Sequence, residues 1–161
     1  LKALFVALFL GALALISDTG CTPSARRVAH VAVVASGGVV AELQRASLAT
    51  YERATNELIA SGLRGEDYAR AVAPLDAELS ARTEALALAS DALFAVARAL
   101  DANDSNATAL AGDAATAIEH AVDVLRDEHS LPAVAIPASV RREVIRLRSL
   151  SAGEDAGHAD E

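Results

Sequence analysis

Between Glu66 and Ala102 one stripe of residues returns at alternating steps of four and three: Tyr68, Val72, Leu75, Leu79, Arg82, Leu86, Ala89, Leu93, Val96 and Leu100. That rhythm holds a stripe on one side of an α-helix and scatters it over both faces of a strand. A heptad seam of this length needs a helical partner of similar length, packed at a shallow angle as in a coiled coil. One seam position is charged. Arg82 is a specificity device, a sign that the seam shifts, or, as the default expectation, a side chain that lays its stem along the seam and snorkels its guanidinium to water. Pro74 is expected to kink the helix or mark its true start, because it has no N–H for the preceding turn.

The preceding segment supplies the partner. From Val40 onward apolar and small residues fall at helical spacing through Leu43, Ser47, Tyr51, Ala54 and Leu58, so a helix is expected over residues 25–60. Ser36-Gly37-Gly38 interrupts it, and each mid-helix glycine costs about 1 kcal/mol relative to alanine, so a kink or break is expected there. Ser61-Gly62-Leu63-Arg64-Gly65 reads as a tight reversal. The two helices then form an antiparallel hairpin. Counting outward from the turn places Leu58 near Tyr68 or Val72, Tyr51 near Leu75 or Leu79, and Leu43 near Leu86.

Two shorter helices follow. Leu110, Ala114, Ile118, Ala121 and Leu125 stripe a helix expected over 107–128, after the turn-rich Asp101–Asn106. Leu131–Pro137 is framed by prolines and is expected to cross the end of a bundle in extended form. A helix over 138–150 turns Val140, Val144, Leu147 and Leu150 inward and Arg141, Arg142, Arg146 and Arg148 outward. Roughly a quarter of the residues are alanine, the strongest helix former, which adds little buried area. The fold class is therefore all-α: an Ala-rich, up-and-down helical bundle occupying 25–150. Residues 151–161 are polar and acidic and are expected to be disordered.

The first twenty residues are of another kind. One lysine precedes an apolar run, Ala3–Ile16, that suits the h-region of a signal peptide and is short for a membrane span. Ser17-Asp18-Thr19-Gly20-Cys21 follows, and Cys21 is the only cysteine in the chain. This region resembles a bacterial lipoprotein precursor, in which a cysteine stands just past the apolar run with small residues before it. Thr19 and Gly20 suit those positions, and Asp18 stands where the family prefers an apolar residue. The resemblance spans residues 1–21 only. It implies that 1–20 is a signal peptide, that Cys21 is lipidated and becomes the new N-terminus, and that 21–24 links it to the bundle. The implied location is the cell envelope, periplasmic or surface-facing, anchored to the membrane through lipid.

Chemistry is hard to find. The chain has no Gly-rich phosphate loop, no GxSxG elbow, no HExxH and no Glu-x-x-His of a di-iron bundle. One cysteine permits neither a disulfide framework nor a covalent haem. Net charge is −8, and beyond residue 20 the aromatics are Tyr51, Tyr68 and Phe94, which argues against nucleic-acid binding. The best metal candidates are weak ones: Glu119, His120, Asp123 and Asp127, spaced along one helix with no ligand cluster on another. The expectation is a non-enzyme without cofactor that binds a protein partner or helps organise the envelope. The alternative is a small-molecule- or metal-binding bundle in the periplasm.

Overall fold

The computed structural model describes residues 23–127 and 129–152. Among them are four helices and no strand: α1 (Pro23–Ala60), α2 (Gly65–Ala102), α3 (Ala107–Arg126) and α4 (Ala138–Ala152). Each packs chiefly on its neighbours in the ring α1–α2–α3–α4–α1, which is the all-α up-and-down bundle. The core between them is built from small and medium side chains. Ala89, Ala114, Ala115 and Ala121 are fully buried beside Leu43, Ile118, Leu125 and Leu147. Alanine at these positions lets the helices approach closely, so the core gains by packing density what it lacks in bulk.

The hairpin register follows the sequence count. Tyr51 Oη donates to Asp76 Oδ1 at 2.5 Å, and His30 Nε2 lies 3.3 Å from Asp101 Oδ1. Leu43 and Leu86 belong to one core cluster. Gly62 (φ 87°) and Gly65 (φ 57°) take the left-handed conformations that the reversal requires. At the other end of α2, Asn103 caps in the same region (φ 56°), and its N–H and that of Asp104 return to the last carbonyls.

Neither a break at the glycines nor a helix start at Pro74 occurs. α1 runs unbroken through Ser36-Gly37-Gly38, and α2 through Pro74. In α1 the buried Ala29, Ala32 and Val33 before the glycines share a core face with Val39, Val40 and Leu43 after them. Burying both flanks outweighs a propensity cost of about 2 kcal/mol. Several boundaries also move. α1 begins at Pro23, inside the expected linker, where a missing N–H costs nothing. α3 stops at Arg126, and α4 takes in Ser151 and Ala152 from the expected tail. Residues 1–20, Cys21 and the tail from 153 lie outside the described residues.

The helices differ in length, and that shapes the molecule. α1 and α2 have 38 residues each, about 57 Å, while α3 has 20 and α4 has 15. The hairpin therefore extends past the short helices as a two-helix projection. The chain between α3 and α4 crosses at the root of the projection without regular structure, with Leu131 and Val134 buried and Val134 N–H donating to the Leu125 carbonyl at 2.9 Å.

Candidate functional site

Arg82 lies where body and projection meet, and it does not snorkel: its side chain is 0% exposed. It reaches under the crossing segment. Nη2 donates to Glu78 Oε1 at 2.6 Å, to the Asp127 carbonyl at 3.1 Å and to the Leu131 carbonyl at 3.3 Å, and Nη1 donates to the Pro132 carbonyl at 3.2 Å. Glu78 completes the arrangement. Its Oε2 accepts from the Ser130 N–H at 2.5 Å and the Leu131 N–H at 2.8 Å. Two side chains one turn apart thus satisfy backbone groups that the proline-framed segment cannot pair within a helix. Their role is to fix the crossing segment.

The metal candidates are dispersed. Glu119 is tied to Arg148 of α4 at 2.6 Å, while His120, Asp123 and Asp127 are exposed. Asp127 contributes only backbone groups, at the end of α3. Among the described residues no three His, Cys, Asp or Glu side chains stand together as a metal-holding group. Glu119 and Asp123 do line a groove of about 490 Å³ between α3 and α4, floored by Val122, Val140 and Val144, with Arg126 and Arg141 on its wall. His120 and Asp127 are not part of it. The α4 arginines are partly used within the bundle: Arg148 on Glu119, and Arg146 on the buried Glu143 at 2.6 Å.

The outer face of the α1–α2 hairpin has a different character. Two polar ties bound it, His30–Asp101 at one end and Tyr51–Asp76 at the other. Between them, helical spacing on α1 passes through Val34, Gly37, Ala41, Gln44 and Leu48, and on α2 through Thr83, Ala87, Ser90, Phe94 and Ala97. None is charged. Val34 is 74% exposed and Phe94 is 70% exposed, and Leu48 is also open to solvent. A surface helix ordinarily turns charge outward, so an uncharged strip carrying an open phenylalanine is a feature to explain. The heptad reading missed it because Phe94 lies beside the seam residue Leu93. The signal was the absence of charge along that one line of each helix, with Arg45, Glu84, Asp91 and Arg98 confined to its edges.

α1 has a further property. Within it, Arg26–Ala60 is long and apolar enough to cross a membrane. In the fold that apolarity is needed for the core wall formed by Ala29, Val33, Val40 and Leu43.

No family model, curated protein or solved structure matches the chain.

Proposed function

We propose that the chain is a non-catalytic cell-envelope protein, anchored by lipid on Cys21, that binds another protein through the outer face of its α1–α2 hairpin. The observation that carries the binding half is the uncharged strip with Val34 and Phe94 open to water. A soluble bundle gains nothing from exposing them, whereas an interface buries such residues at its centre. The anchor half rests on the apolar run Ala3–Ile16 followed by small residues and the one cysteine. Acyl chains hold a small domain to a bilayer at about 0.8 kcal/mol per buried methylene. Helix α1 starts at Pro23, so the body would lie close to the membrane with the hairpin turn about 57 Å further out.

The test is expression of the full chain in a bacterial host beside Cys21→Ser. The expected result is a membrane-bound protein with an acylated N-terminal peptide by mass spectrometry, and a soluble variant. Equal amounts of both forms in the soluble fraction, with no acylated peptide, would replace lipidation with plain secretion.

A second reading, a ligand-binding bundle, is favoured by one observation, the α3–α4 groove holding Glu119 and Asp123. Titration with zinc, calcium or manganese is expected to find no site tighter than micromolar. A tight one-to-one isotherm that disappears in Asp123→Ala would promote the second reading.

A further inference from the structure

We infer that the partner on the α1–α2 face is a second copy of this chain, related by a two-fold axis parallel to the hairpin. The inference rests on the interaction reading above and names its partner. Two observations and the proposed anchor lead to it.

The first is size. The strip between the two polar ties is about 31 Å long at 1.5 Å per residue. Two helices side by side, about 9 Å apart, make it about 20 Å wide. Each copy would cover about 600 Å², or about 1,200 Å² for the pair, at the lower end of what stable complexes bury. The face can hold a dimer on its own, without the projection or the short helices.

The second is self-complementarity, which a two-fold interface demands because one patch must fit itself. An axis parallel to the hairpin lays α1 of one copy over α2 of the other at equal height. Counting from the two ties sets Phe94 level with residues 33–37 of α1. The exposed ring of one copy therefore meets Val34 and Gly37 of the other, twice over. Gly37 leaves room for it: a Cβ built there has no atom within 4 Å, so nothing in the chain itself requires a glycine at a position where it weakens the helix. On the edges of the strip the same operation brings Arg45 of α1 level with Glu84 of α2, a charge pair joining the two copies. Within one chain, Arg45 has only its Nε on the Ala41 carbonyl.

The third is direction. The parallel axis leaves both copies with α1 running the same way, so both Cys21 anchors enter one bilayer. An axis across the helices would send the anchors to opposite sides. Confinement of two anchors to one membrane raises the effective concentration of a modest interface.

The experiment places the photoreactive p-benzoylphenylalanine at position 94 of the full chain and irradiates intact bacterial cells. The expected adduct has twice the mass of the chain, and its mapped peptide contains Val34 and Gly37. An adduct with a different protein would overturn self-association and leave the interaction reading standing. No adduct at all would overturn both. Gly37→Leu sharpens the test, since the space around its Cβ lets the monomer keep its helical circular dichroism. It is expected to lower the doubled adduct at least tenfold, and an undiminished adduct would contradict the proposed register. Phe94→Glu in detergent is expected to sediment as a monomer where the wild-type chain sediments as a dimer. Equal sedimentation of the two would count against the proposal.

Discussion

The two long helices pass through two environments. From Ala29 to Ser47 on α1 and from Arg82 to Leu100 on α2, the inward residues are buried in the four-helix body. Between Leu48 and Pro74 none is buried, although Tyr51, Ala54, Leu58, Tyr68 and Val72 continue the same helical spacing. The sequence period does not change at the boundary. What changes is the second layer, because α3 and α4 are too short to reach the projection. Periodicity therefore reports which side of a helix meets its partner and carries no information on how deep that side lies.

The largest expected effect comes from the boundary itself. Glu78→Ala leaves Arg82 buried without its carboxylate and strips the Ser130 and Leu131 N–H groups of their acceptor. Breaking a buried pair from one side costs about 3–5 kcal/mol. In denaturant unfolding, Glu78→Ala is expected in that range, and adding Arg82→Met is expected not to recover the loss, because the Ser130 and Leu131 N–H groups still lack their acceptor. A loss under about 1 kcal/mol for the single variant would mean that the junction does not hold the crossing segment.

Next in size is the contrast between body and projection. Leu86→Ala removes a side chain that is 2% exposed and is expected to cost about 2–5 kcal/mol. Leu58→Ala, in the half-buried projection, is expected to cost about 1 kcal/mol. Equal losses would erase the distinction between the two regions.

Two substitutions on α1 are expected to stabilise. Ser36 is fully buried with an unpartnered hydroxyl, so Ser36→Ala should gain about 1 kcal/mol in unfolding experiments. Gly37→Ala meets no neighbour and should gain about 0.5–1 kcal/mol through helix propensity. Destabilisation by Gly37→Ala in the monomer would show that something within the chain needs the glycine.

The smallest effect is at the tie on the projection. The hydrogen bond to Asp76, with some burial and the nearby carboxylate charge, pushes the Tyr51 phenol above its ordinary value of 10.0. A folded-state pKa above the unfolded one stabilises fully below the unfolded value and is lost as pH rises through the folded one. Stability should therefore fall above about pH 10, and Tyr51→Phe should remove that part of the alkaline slope. An unchanged slope in the variant would assign it to other groups.

Much of the fold was legible in residues alone. The alternating four-and-three spacing gave α2, the glycine pair gave the turn, and counting outward gave the register that Tyr51–Asp76 displays. Arg82 was misread because a seam position states direction only. The usable clue was Glu78, four residues earlier and beside the stripe, one turn away and positioned to hold a guanidinium. The unbroken passage through Gly37 and Gly38 depended on core contacts from both flanks, which propensity does not contain. Phe94 could be called surface or core until the helix orientation was known. The carboxylates of α3 are spaced along one helix, but Arg148, brought in by α4, takes Glu119 out of the set.

Native-state hydrogen exchange resolved along α2 tests the central division most directly. Amides from Arg82 to Leu100 should exchange through global unfolding, and those from Tyr68 to Ala73 should exchange much faster through local opening, within one continuous helix. Uniform protection from Tyr68 to Leu100 would contradict the account, because it would mean that the projection is held as firmly as the four-helix body.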